Sequence, residues 1–131
     1  MKKPISPTLH SSLDYVFGSV LMTAPVALGL DRKLVKNYAT LAAGIGSMNA
    51  MTDTPAGIKR VLPLRVHKYM DLAVLGGLAI AAGSRSVRSD KKAMSFHMAF
   101  MGLSLVQFIL TDFNAGKNRK IPLRKVDYCY G

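Results

Sequence analysis

The sequence predicts an all-α membrane fold: four transmembrane helices built from two tandem, parallel helix-hairpin repeats, in a single membrane domain covering residues 1–131. Three observations lead there. Four long windows, at 15–30, 37–52, 72–84 and 93–111, contain no charged residue. Basic clusters separate these windows, where long cationic side chains can reach an interface while their stems stay in hydrocarbon. Finally, TDTPAGIKRVLPLR at 52–65 returns as TDFNAGKNRKIPLR at 111–124, identical at eight of fourteen positions.

A spanning helix needs about 17–25 mostly apolar residues. Extending each window into its flanks predicts helices over 8–30, 34–53, 64–84 and 91–112. The first follows Pro7, and Pro25 bends or ends it one turn before its close. The second carries small residues at fourfold spacing (Ala39, Ala43, Ser47 and Ala42, Gly46, Ala50) and the third repeats the pattern at Ala73, Gly77 and Ala81. Such stripes let helix backbones approach closely in lipid. The third helix has Asp71 about a turn inside it. In the fourth, Met94, His97, Met98 and Met101 share a face; thioethers beside imidazole suit Cu(I), but Met stripes at helical spacing more often serve packing.

The duplication extends beyond the polar segment. HSSLD at 10–14 recurs as HKYMD at 67–71, giving units of helix, loop, helix and linker over about 8–65 and 65–124. Two helices per unit imply parallel repeats related by an axis along the membrane normal. The N-terminus, the 53–66 linker and the C-terminal tail then share one side with eleven cations against seven opposite. That bias predicts a multi-pass protein with both termini cytoplasmic. Lys2 and Lys3 before an apolar run imitate a signal peptide, but no small-x-small site follows, so the run is expected to be retained.

The formal charge of +11 comes from eighteen Lys and Arg against seven Asp, with no Glu and no Trp. Because the cations flank apolar spans, nucleic acid is not the expected partner. Membrane lipids with anionic headgroups are, together with other membrane subunits or further copies of the chain. The single cysteine, Cys129, excludes an intramolecular disulfide and a cysteine-based metal framework. No nucleophile elbow or phosphate-cradling glycine loop is present, so no catalytic residue is assigned.

The polar residues that recur form the candidate site: His10, Asp14, Asp53, His67, Asp71 and Asp112. His10 and Asp14 are four apart, as are His67 and Asp71, so each pair shares a helix face. All six are expected to converge at one end of the bundle. In a structural reading the linker pins one hairpin to the next: Arg60, Arg65, Arg119 and Arg124 serve the carboxylates, and Gly57 and Gly116 supply turns with positive φ. In a ligand reading no cofactor is required. Even so, His10 and His67 suit the axial positions of a haem b, or a divalent metal with the aspartates behind the imidazoles. The four arginines alternatively suit an anionic lipid or quinone headgroup.

The helix-1 to helix-2 unit carries a small-Pro-x element late in its first helix, Ala24-Pro25-Val26. In this it resembles the SPW repeat group of small bacterial membrane proteins. That likeness spans most of the chain. It implies a four-helix fold in a bacterial inner membrane and no particular activity.

Overall fold

Each helix begins where a side chain can satisfy the free amides of its first turn. The computed structural model describes residues 2–115. Ser6 caps α1 (Pro7–Ala27) by accepting from the Leu9 amide, with Pro7 at the position that needs no donor. Asp31 accepts from the Lys33 amide to start α2 (Arg32–Met51). Pro63 precedes α3 (Leu64–Ala82), Ser84 caps the single turn α4 (Arg85–Arg88), and Asp90 caps α5 (Lys91–Leu110). Asp31 and Asp90 are thus both helix caps.

The α1–α2 turn depends on Gly29, at φ 66° the one described residue with positive φ. Around it Leu30 N–H donates to Pro25 O and Gly29 N–H to Val26 O. These two bonds cap the last carbonyls of α1, and the left-handed residue between them costs glycine nothing. Pro25 lies inside the helix, which continues to Ala27.

Helices α1 and α2 pack as one pair and α3 and α5 as another. Two short parallel bridges join the pairs: Ile5, just before α1, to Thr111 at the end of α5, and Leu62, just before α3, to Thr52 at the end of α2. Leu21, Leu34, Tyr38, Ala42, Leu78, Ala93 and Phe100 form the core, and Phe17 packs edge-on against Phe100 at 5.6 Å.

The four-transmembrane-helix expectation does not hold. Among the described residues α5 alone is long and apolar enough to cross a membrane, and only 22% of its apolar stretch is buried within the protein. An uncharged window is not the same as an apolar one. Helix α1 contains His10, Ser11, Ser12, Asp14, Ser19 and Thr23; α2 opens with Arg32, Lys33 and Lys36; and α3 carries Arg65, His67, Lys68 and Asp71. A tandem repeat of membrane hairpins, and with it a multi-pass topology, is therefore not supported. The second unit's end, like Gly116, Arg119, Arg124 and Cys129, lies outside the described residues.

Small residues also act differently from expectation. Ala42 is buried against α1, with its carbonyl 3.8 Å from where a Gly18 Cβ would stand. Ala73, Gly77 and Ala81 instead line an open groove.

The linker after α2 folds back over α1. Tyr15 Oη donates to Ala56 O at 3.0 Å, and Thr54 Oγ1 donates to Ser11 Oγ at 3.0 Å. Ser11 in turn donates to Asn49 Oδ1 at 2.6 Å. Gly57 is needed here for proximity and not for positive φ: an added Cβ would run into the Thr52 carbonyl oxygen. Gly57→Ala is expected to lower stability by about 1–3 kcal/mol, the usual cost of overpacking. Denaturation curves of the two proteins check this, and coincident midpoints would contradict it.

Candidate metal centre

Helices α1 and α3 each bring a His and an Asp one turn apart to the same buried place. His10 is 3% exposed, His67 1% and Asp14 6%. Asp71, with 16% of its side chain exposed, is the one member partly open to the outside. The pairing crosses between helices. His10 Nε2 lies 3.0 Å from Asp71 Oδ2 and 3.5 Å from Asp14 Oδ2 on its own helix. His67 Nε2 lies 3.0 Å from Asp14 Oδ2 and 3.5 Å from Asp71 Oδ1 on its own. Ligand atoms of all four residues fall within 4.8 Å of one another.

The far side of each imidazole is fixed by a threonine. Thr52 Oγ1 donates to Met48 O at 2.8 Å, and Thr111 Oγ1 donates to Gln107 O at 2.6 Å. With its proton committed, each hydroxyl accepts from an imidazole: His67 Nδ1–H donates to Thr52 at 2.7 Å and His10 Nδ1–H to Thr111 at 2.8 Å. On the threonine side each ring presents Nδ1–H, and Nε2 turns toward the carboxylates. Gln107 steadies the remaining carboxylate oxygen, its Nε2 donating to Asp14 Oδ1 at 2.8 Å and to His10 O at 3.2 Å. Phe113 covers the outer edge of His10 at 5.2 Å, with the Lys68 ammonium 5.7 Å from its ring centroid.

The environment of His67 raises its proton affinity. Burial disfavours its cation, but the Asp14 hydrogen bond and the charges of Asp71 and Asp14 outweigh burial and hold it above the ordinary value. A raised value means that the folded state binds this proton more tightly than the unfolded chain does. The resulting stabilisation is complete below about pH 6.5 and disappears as the pH rises through the folded-state value. In metal-free buffer the denaturation midpoint is expected to fall as the pH climbs above neutrality, and a rising midpoint would contradict this.

Four of the six expected residues converge. Asp53 and Asp112 do not. Asp53 is exposed and pairs with Arg60 Nε at 2.9 Å, both side chains about half in solvent, whereas Asp112 accepts from the Asn114 amide at 3.1 Å. The reason is local: each follows the residue that ends a helix, so the threonine before it points inward and the aspartate points out. Arg65 is exposed and pairs with none of the carboxylates among the described residues. The copper reading also fails on contacts. His97 Nε2–H donates to Leu78 O at 2.8 Å and Nδ1 accepts from Tyr38 Oη at 2.8 Å, which leaves no lone pair, and Met98 is 47% exposed. Thr52, Thr111 and Gln107 were missed from sequence. The first two had a signal, since threonine stands before both recurring aspartates.

Comparison with known protein families, with characterised proteins and with solved structures finds no match to this chain. Fold and site define its class: a helical bundle closed by a buried centre of two histidines and two aspartates.

Proposed function

We propose that this protein holds one divalent transition-metal ion, with Zn²⁺ the best candidate, on His10, Asp14, His67 and Asp71, and that it does so at a membrane. One observation carries the metal reading. Four ligand atoms about 2.0 Å from a tetrahedral Zn²⁺ are separated by about 3.3 Å. The nitrogen–oxygen separations of 3.0 and 3.5 Å straddle that length. Asp71 reaches His10 through Oδ2 and His67 through Oδ1, and the four residues' ligand atoms lie within 4.8 Å of one another, so the cluster would contract around an ion to become a coordination shell.

The donor chemistry agrees. Imidazole nitrogen favours zinc and its neighbours over magnesium or calcium, which prefer six or more oxygens. Two carboxylates balance a dication, so the buried site keeps no net charge. Each imidazole also has the hydrogen-bond acceptor behind it that metal-bound histidines usually need. The cavity beside the cluster is about 40 Å³, room for a water-sized species. That supports a bare ion over a haem, because the carboxylates stand where a porphyrin would lie.

Membrane association rests on α5 and on surface chemistry. Leu103, Val106 and Ile109 of α5 are all more than half exposed, as are Val16 and Val26 of α1 and Tyr69 and Ile80 of α3. Apolar surface on this scale calls for lipid or a partner subunit. With α5 seated in a bacterial inner membrane, the surrounding lysines and arginines meet anionic headgroups.

Metal analysis of the purified full chain tests the reading. One equivalent of Zn²⁺ is expected to remain after dialysis and to be lost in the Asp14→Asn, His67→Gln double variant. Equal, substoichiometric zinc in both proteins would overturn it.

A further inference from the structure

Helices α2 and α3 stand apart where the two helix pairs face each other, leaving a groove of about 800 Å³. The gap exists because small residues face it: Gly44 on α2, and Ala73, Gly77 and Ala81 on α3. Its floor is closed by the buried Tyr38–His97 pair, whose polar atoms are already spent on each other and on Leu78 O. The walls therefore offer no free buried polar atom. The groove does not touch the His/Asp cluster.

Its ends differ in chemistry. One end reaches Met48 and Met70, soft apolar residues. At the other, Lys33, Asn37, Ser84 and Ser86 line the mouth. The segments meeting there carry Arg32, Lys33, Lys36, Arg85, Arg88, Lys91 and Lys92 against Asp31 and Asp90, and both aspartates are engaged as helix caps. Along α2 the groove runs from Lys33 to Met48, about 22 Å at 1.5 Å per residue. One leaflet of a hydrocarbon core is about 15 Å deep, so the groove can take a full acyl chain. Its volume lies in the range of sites that enclose a small molecule, about 300–1,000 Å³.

We infer that this groove binds one acyl chain of an anionic membrane phospholipid, with the headgroup phosphate against Lys33 and the Ser84 and Ser86 hydroxyls. The apolar walls accept the chain, and the cationic rim selects the charge.

Added side chains can test this without backbone collision, since a Cβ at Gly44, Gly76 or Gly77 meets nothing within 4 Å. Full-length protein is equilibrated with vesicles of equal parts phosphatidylglycerol and phosphatidylcholine, extracted in mild detergent and weighed by native mass spectrometry. Wild type is expected to retain one phosphatidylglycerol per chain. Gly44→Leu and Gly77→Leu, each filling the groove, are expected to reduce retention on the order of tenfold. Gly76→Leu, exposed and outside the groove, is expected to retain lipid as wild type does. Lys33→Gln is expected to keep a lipid but lose the preference for phosphatidylglycerol. Far-UV circular dichroism checks that the helices persist, and either groove variant that folds suffices. Wild type without lipid, unchanged retention in a folded groove variant, equal retention of phosphatidylcholine, or a second chain in place of the lipid would each overturn the inference.

Discussion

His67→Ala is expected to destabilise the protein by about 3–5 kcal/mol, the cost typical of removing one partner from a buried charge pair. The ring is 1% exposed and bonds to two helices besides its own. Without it Thr52 loses its donor, and among the described residues the Asp14 and Asp71 carboxylates are left with His10 as their one ring partner. Two close carboxylates in a poorly solvated setting repel, and Gln107 cannot neutralise them. The same operation on the surface should do little. Arg60→Ala breaks an ion pair of similar length, 2.9 Å against 3.0 Å, but with both partners half in solvent. Its expected cost is under about 1 kcal/mol. Denaturation of both variants in one detergent gives the contrast directly; similar losses would mean that the cluster is not the buried tie described here.

Thr52→Val should show two separable effects. Valine fills nearly the same volume but lacks the hydroxyl, so the loss is of its hydrogen bonds to His67 and Met48 O and not of packing. The His67 Nδ1–H would be buried without a partner, costing about 1–3 kcal/mol of stability. Metal affinity should also fall by about 10–100-fold, because the ring is no longer held in its tautomer and orientation. Thr111→Val should act alike through His10. A competition titration with a chromogenic chelator reads the affinity, and unchanged affinity alongside reduced stability would confine both threonines to a structural role.

How much of this was legible in the sequence depends on the kind of interaction. His10 with Asp14 and His67 with Asp71 could be read, because helical spacing alone puts each pair on one face. Their actual partners could not: cross-helix contacts of 3.0 Å win over same-helix contacts of 3.5 Å only once packing sets α1 against α3. The recurring Thr-Asp steps were visible, but charge drew attention to the aspartate. At a helix end neighbouring side chains diverge, and here the neutral hydroxyl went inward. The four uncharged windows showed where helices lie while overstating their apolarity. In α2, glycine, serine, threonine and asparagine carry no charge yet contribute little hydrophobic transfer energy. Gly57 was recognised as necessary for the wrong reason, since a clash with a distant carbonyl leaves no trace in local sequence.

The most direct measurement is a Co²⁺ titration of the metal-free full chain, followed by visible absorption. Co²⁺ reports its own geometry, absorbing strongly when tetrahedral and weakly when octahedral. The expected result is a strong band saturating at one equivalent, abolished by added Zn²⁺ and absent from the His10→Ala, His67→Ala double variant. Weak absorption like that of the free aqueous ion, or a band that survives loss of both histidines, would contradict a metal centre on His10, Asp14, His67 and Asp71.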